Sequence, residues 1–476
     1  MAGFLVAGGR SHCPGGSILA RLVIVSNRVA APSARDASAG GLAVAMRDAL
    51  SRQGGIWFGW NGEIAKATAE EPQIRDVGNI TYATVALSQQ DHDRYYLGYA
   101  NATLWPLLHF RLGLMTFQQT EFDAYLQVNA HFAKLLQPLL QPGDRVWVHD
   151  YHLIPLAAEL RKLGVRNQIG FFLHTPFPPI EVFQALPHYQ TLLSGFSSYD
   201  LVGFQTEEAV TAFHSTSVAR GPGGPVVAAF PIGIDTKGFE TIARRAANSA
   251  NTRRLLASLA GHRLVIGVDR LDYSKGIPNR FDAISCLLEK SPEWRGEFSY
   301  LQITPHSRGE VDAYKALRRE LESAAGRING RFAEFDWSPV RYVNRSFPRQ
   351  TLAGFYREAA IGLVTPFRDG MNLVAKEYVA AQDPENPGVL VLSSLAGAAN
   401  ELKAALLVNP LDIDEMAAAI RQGLAMPLEE RRERWSDMMT VLRANTISTW
   451  CDAFLAALSR KRRRLEAASP TSLSAA

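Results

Sequence analysis

Cysteine is scarce: Cys13, Cys286 and Cys451 are the only three in 476 residues, far apart and without a CxxC pair. That excludes a disulfide framework or a zinc cluster and points to a reducing, cytoplasmic compartment. No apolar run approaches the length that crosses a bilayer. A basic n-region is missing before Phe4–Ala7, so a signal peptide is not expected, and residues 1–20 read as a flexible extension. Charge of one sign is also in short supply, with a net of only +4. That excess is too small to argue for nucleic acid and suits a small anionic ligand better. No repeat of solenoid period is present. The full GxGxxG fingerprint is absent as well, which leaves a dinucleotide cofactor unsupported.

What is there is an ordinary globular composition, 47% apolar and 20% charged, on a chain long enough for two domains. Short apolar runs recur at Leu22–Ser26, Arg145–Val148, Ile169–Leu173 and Leu201–Phe204, then at Leu264–Val268, Tyr300–Ile303, Ile361–Val364 and Val389–Leu392. Their hydrophobicity is continuous rather than alternating, which predicts strands buried on both faces, as in parallel sheets covered by helices. Helical patterns such as Val311–Ala325 and Asp412–Ala425 lie between them, making an α/β chain of two sheets. The break falls near Phe230–Asp235, after the Arg220–Pro225 loop and before a helical pattern over Glu240–Leu259. The expected domains are therefore 21–234 and 235–454, with a basic helix end and a flexible tail over 455–476. The run Arg460–Arg464 reads as that helix end rather than a nucleic-acid patch.

Polar residues follow these runs: Arg28, His149-Asp150, His174, Asp269-Arg270 and Arg368-Asp369. Ligands of doubly wound sheets bind at such strand ends. Arg270 and Lys275, on a turn leading into a helix, suit a diphosphate: the arginine grips two oxygens and the lysine adds a point charge. In Arg368–Glu377, Gly370 permits a tight turn and the following helix would aim backbone amides at a phosphate or sugar oxygen. Asp369 should then face a sugar ring, and Glu377 could accept hydrogen bonds from ribose hydroxyls. Gly40 and Gly41 form another glycine turn, and Arg28 could bind a second phosphate. Tyr96 and Trp105 are either core aromatics or rings with a polar handle for a ligand. Asp91-His-Asp93 and Asp412-Ile-Asp414 carry a metal-binding spacing but sit where helices start, and His149–His152 lacks further ligands. No metal is expected, so fixed cations must stabilise a departing diphosphate.

Taken together, Val25–Arg28, Trp57–Trp60, His149–His152, Phe172–His174 with Pro176–Pro178, Arg270–Lys275, Ser307–Gly309 and Asp369–Glu377 resemble retaining glycosyltransferase family 20 from about Arg21 to Phe454. The resemblance implies a GT-B fold, two Rossmann-like doubly wound domains facing a central cleft. It implies UDP-glucose as donor and glucose 6-phosphate as acceptor, with retaining transfer to α,α-trehalose 6-phosphate and UDP, and no cofactor. On the matching positions, Arg28, Tyr96, Trp105, Asp150 and Arg308 would bind the acceptor. Gly40, Gly41, His174, Arg270, Lys275, Phe347, Asp369, Leu373, Val374, Ala375, Lys376 and Glu377 would bind the donor, with His174, Arg270, Lys275 and Asp369 serving catalysis. No carboxylate nucleophile follows from the motifs, so front-face attack is implied. A homo-oligomer, dimer or tetramer, is expected, with no nucleic-acid or membrane partner. The sequence departs from the family pattern in residues 1–20, in a short loop at Ser215–Val227, and in Asp269 where Glu is more usual. Rival readings are a relative with another acceptor, such as glycerol 3-phosphate or a cyclitol, and a non-catalytic sugar-phosphate-binding subunit.

Overall fold

The protein is described from a computed structural model that covers residues 21–29, 41–216, 218, 224–305 and 312–468. The first half is built on an eight-stranded sheet. Its strands are β1 (Leu22–Arg28), β2 (Gly55–Ala65), β3 (Gln73–Val77), β4 (Ile80–Ser88), β5 (Arg145–His149), β6 (Gln168–Phe172), β7 (Leu201–Phe204) and β8 (Val226–Ala229). Their order is β3-β4-β2-β1-β5-β6-β7-β8, and every pair is parallel except β3 with β4. The second half carries β9 (Arg263–Val268), β10 (Phe298–Ile303), β11 (Val340–Val343), β12 (Ala359–Val364), β13 (Val389–Ser393) and β14 (Leu406–Val408). That sheet is wholly parallel in the order β11-β10-β9-β12-β13-β14.

In each sheet the first strand lies centrally and the chain winds outward from it in both directions, as in a dinucleotide-binding fold. The order reverses between β1 and β5 and again between β9 and β12. Those are the two places where the strand ends leave a crevice for a ligand. All eight expected strands are present.

The helical pattern over Glu240–Leu259 is two helices, Thr236–Ala246 and Ala250–Leu259. The Ser249 side chain accepts from the Thr252 amide at 3.2 Å and starts the second one. Asp235 caps the first through the Gly238 amide at 3.0 Å.

The chain crosses between the halves twice, and the crossings lie side by side. Ile234 pairs with Thr446, the Ile447 amide donates to the Ile234 carbonyl at 3.3 Å, and Thr236 Oγ1 donates to the Leu442 carbonyl at 2.8 Å. A Cβ on Gly233 would sit 2.0 Å from the Asn445 carbonyl, so only glycine fits this approach. The last helix, Ile447–Ala468, then returns to the first sheet. Trp450 and Phe454 pack on Trp147 at ring distances of 4.8 and 4.5 Å. Gly170 and Gly203 leave the hollow that the Phe454 ring fills. Residues 447–454, grouped by sequence with the second half, thus pack against the first sheet.

Candidate active site

On the first half, Arg28 ends β1 with its guanidinium over the Trp60 ring at 5.8 Å. Tyr96 belongs to a π-helical stretch, His92–Leu104, a rare geometry that often marks functional positions. It packs against Trp60 at 5.4 Å and stacks on His152 at 5.9 Å. Asp150, just after β5, has φ +74, a conformation that strains any residue with a Cβ. Its amide donates to the Phe172 carbonyl at 2.8 Å and its Oδ1 accepts from the His174 amide at 3.3 Å.

The His174 ring lies between Gln205 Nε2, 3.4 Å from Nδ1, and His149 Nδ1, 3.1 Å from Nε2. Burial pushes His174 down to about 3, and burial, then the neighbouring His174, holds His149 well below the usual imidazole range. Both rings are therefore neutral and occupied with each other. The His174 main-chain carbonyl packs against Gly370 of the second half, where a Cβ would meet it at 2.0 Å.

On the second half, Asp269 at the end of β9 pairs with fully buried Arg280, Nη1 to Oδ2 2.5 Å. Arg280 also donates to Thr365 Oγ1 and to the Lys275 carbonyl, each at 2.9 Å. Burial raises the Asp269 pKa, and Arg280 offsets part of the rise. The pair is a strut beneath the Lys275 turn, and the turn closes at Gly276, φ +65, whose Cβ position lies 2.5 Å from the Thr365 carbonyl. On this support Lys275 Nζ donates to Asp369 Oδ2 at 2.6 Å. Asn372 Nδ2 donates to the same oxygen at 3.1 Å. Burial would raise the Asp369 pKa, but Lys275, with His109 and Asn372, holds the carboxyl below its ordinary value.

Asn372, at φ +81, also caps the helix Leu373–Ala381 through the Ala375 amide at 3.1 Å. With Asn372 as the cap, the Asp369 carboxylate faces Lys275. Leu373 and Val374 are half-buried in the first turn of that helix, with Ala375 buried behind them. Glu377 Oε1 accepts from Arg349 Nε at 3.3 Å, and burial raises its pKa despite that partner. Phe347 is half-buried under the Arg345 guanidinium, 4.6 Å from its ring. Lys376 is oriented otherwise. Its ammonium is spent on the Ile232 carbonyl at 2.7 Å and on Glu401 Oε2 at 2.5 Å, so it ties the crossover and only its main chain is left for a ligand.

The two halves meet at Trp105. The Arg270 guanidinium lies 5.8 Å over its ring, and its Nε1 approaches Asp272 Oδ1 at 3.4 Å. Asp272 Oδ1 accepts in turn from the Ser274 amide at 2.9 Å, one residue before Lys275. Arg280 and His109 lie outside every motif read from the sequence, while Trp60, Asp272 and Asn372 lie within such motifs but were given no role of their own. His109 lies on the Trp105 indole at 4.0 Å, with Nδ1 2.8 Å from the Trp105 carbonyl. Burial pushes it down to about 4, against the pull of Asp272 and Asp369. It follows a helix rather than a strand, where the search for polar strand ends does not look.

Arg308 and Gly40 lie outside the described residues; Gly41 opens the helix Gly41–Gln53. Asp91 accepts from the Ser88 and Thr68 hydroxyls, and Asp93 from Gln89 Nε2 at 2.8 Å. Asp412 caps its helix through the Glu415 amide at 2.9 Å, while Asp414 pairs with Lys290 at 2.7 Å. Among the described residues no three His, Cys, Asp or Glu side chains cluster as metal ligands do.

Residues 20–460 match the model of glycosyltransferase family 20. The chain is 51% identical to a trehalose-6-phosphate synthase of Cronobacter sakazakii, over 92% of this chain and 94% of that one. It is 50% identical to the enzyme of that name from Escherichia coli K12, over 93% and 96%. A crystal structure of a UDP-forming α,α-trehalose-phosphate synthase from Burkholderia vietnamiensis superposes with TM-score 0.90 at 48% identity, covering 93% of this chain and 99% of that one. One from Burkholderia xenovorans, in complex with glucose 6-phosphate, gives 0.88 at 47%, covering 92% and 100%. With two parallel sheets in the GT-B arrangement and nearly its whole length matched, this chain belongs to glycosyltransferase family 20.

Proposed function

We propose that the protein transfers glucose from UDP-glucose to glucose 6-phosphate, forming α,α-trehalose 6-phosphate and UDP with retention at the anomeric carbon. The observation that carries this reading is the meeting at Trp105, where an aromatic of the acceptor half lies under Arg270 of the donor half. It agrees with a relative solved with glucose 6-phosphate, and with an Escherichia coli structure bound with UDP-2-fluoro glucose at 48% identity. Arg270 and Lys275 stabilise the departing diphosphate, a task for fixed charges in a partly dehydrated cleft. The first amides of the Leu373–Ala381 helix add N–H groups and the positive helix end. Glu377 takes the ribose hydroxyls, and Phe347 offers an apolar ring to the base.

Arg28, Tyr96, Asp150 and Arg308 hold the acceptor sugar phosphate. The His174 ring is neutral and committed to His149 and Gln205, and its carbonyl packs on Gly370, so it helps shape the donor side of the cleft next to Asp369. Asp369 is shared between Lys275 and Asn372, which leaves it a partner of the cation and not a nucleophile. The acceptor oxygen then attacks the face the diphosphate leaves, and the leaving phosphate takes the proton. The reaction needs no metal, takes place in the cytoplasm and serves osmoprotection. The chain works as a homo-oligomer of two domains that divide near 234.

The test is UDP release by the purified protein with EDTA present. UDP is expected from UDP-glucose only when glucose 6-phosphate is added. Turnover with glycerol 3-phosphate or a cyclitol instead would overturn the acceptor assignment, and no turnover with any nucleotide sugar would favour a binding subunit.

A further inference from the structure

Beyond the residues assigned to either substrate, a reciprocal contact joins the halves beside the site. The Arg368 guanidinium of the second half lies 3.8 Å over the Phe110 ring of the first. The Arg111 guanidinium of the first half lies 5.3 Å over the Phe367 ring of the second. Each half thus supplies one cation and one ring face, neighbours in sequence, to the other. Such pairs are attractive in a partly dehydrated cleft. Phe110 adopts φ +59, a conformation that a bulky residue rarely takes and that must be held by its surroundings. It is held by a tight turn in which the Phe110 amide donates to the Leu107 carbonyl at 3.0 Å and the Arg111 amide to the Pro106 carbonyl at 2.8 Å.

Both arms of the contact end on the donor cation. Arg368 precedes Asp369, the partner of Lys275. The Phe367 amide donates to the Ser274 carbonyl at 2.8 Å, and its ring lies 3.5 Å from the Cβ position of Gly276, so it brackets Lys275 on both sides. The same short segment of the first half begins with Trp105, which meets Arg270 and Asp272, and includes His109.

We infer that Phe110 and Arg111 are positioning residues: with Arg368 and Phe367 they form a clasp that fixes the Lys275–Asp369 pair against the acceptor half. The clasp touches no substrate and acts through Asp369 and the Lys275 turn. Its effect on catalysis rests on the proposed transferase reading; its effect on the donor half does not.

The experiment compares the full-length protein with Phe110→Leu, which keeps an apolar side chain without the ring face, and Phe110→Tyr, which keeps the face. Hydrogen–deuterium exchange is read over residues 367–376, together with kcat and both KM values. Phe110→Leu is expected to speed exchange over 367–376 while strands β1 and β5 stay protected. It should lower kcat about tenfold or more, with each KM within about threefold, because a small displacement of reacting groups costs rate before affinity. Phe110→Tyr is expected to match the native protein in both readouts. Unchanged exchange over 367–376 in Phe110→Leu overturns the clasp whether or not the native protein has the proposed activity. So does a kcat within about twofold of an active native enzyme, or an equal loss in Phe110→Tyr. A native protein without turnover refutes the proposed function and leaves the exchange result to decide the clasp.

Discussion

Lys275 shows how much of a functional residue is set by the side chains around it. Its turn is held from below by the buried Asp269–Arg280 pair, and its ammonium is aimed by Asp369, 2.6 Å away. Losing a charge that faces the leaving diphosphate should lower kcat on the order of 10²-fold or more in Lys275→Ala. Steady-state kinetics checks this, with the melting temperature as a control for folding. A near-normal rate would mean that Arg270 and the helix amides suffice.

His109 carries a prediction of its own. Its ordinary pKa is 6.5 and burial in the folded chain takes it to about 4, so between those values the unfolded chain binds a proton that the folded chain does not. Stability is therefore full above about pH 6.5 and falls as the pH drops towards 4, by on the order of 3 kcal/mol from this group. His174, lowered to about 3, acts in the same direction. Melting temperature against pH should accordingly be flatter in His109→Gln than in the native protein between pH 6.5 and 4, without becoming level. Parallel curves would remove His109 from the account.

The charged residues at strand ends were legible because buried strands announce their own limits. His109, Asp272 and Asn372 were not, since each acquires its role from a partner distant in sequence or from a positive φ, as at Asn372.

Among the elements, the strands buried on both faces were the ones sequence could find. β12 and β13 are apolar nearly end to end, and β1 over Leu22–Val25, and these stretches are buried or nearly so along their length. β2 is interrupted by Gly59, Asn61 and Gly62 and emerges into solvent over its second half, so it shows neither a continuous run nor an alternation. β3 is almost wholly exposed and β14 has three residues. The Glu240–Leu259 pattern concealed a real break at the Ser249 cap, since Phe239, Ala243 and Ala246 are buried in the first helix and Thr252 and Leu259 in the second. The π-helical stretch that presents Tyr96 was invisible for a different reason. A search for the ordinary helical period of 3.6 does not test a wider turn. Tyr96 was nevertheless singled out as a ring with a polar handle, and its acceptor role came from the family resemblance rather than from periodicity.

At the scale of the molecule, two parallel sheets turn their strand ends toward one another and the chain crosses between them twice. The second crossing and the return of Trp450 and Phe454 to the first sheet depend on a hollow made by Gly170 and Gly203, more than two hundred residues earlier. No local pattern carries that information. The same long-range assembly brings Trp105 to Arg270 and Gly370 to the His174 carbonyl, so the cleft is a product of the whole fold. The proposed reaction joins two glucose units through both anomeric carbons with retention. The direct measurement is proton NMR of the product formed from UDP-glucose and glucose 6-phosphate. One disaccharide phosphate with both anomeric protons in the α configuration is expected, formed in step with UDP. A β signal at the transferred glucose, or free glucose released with UDP and no disaccharide, would contradict it.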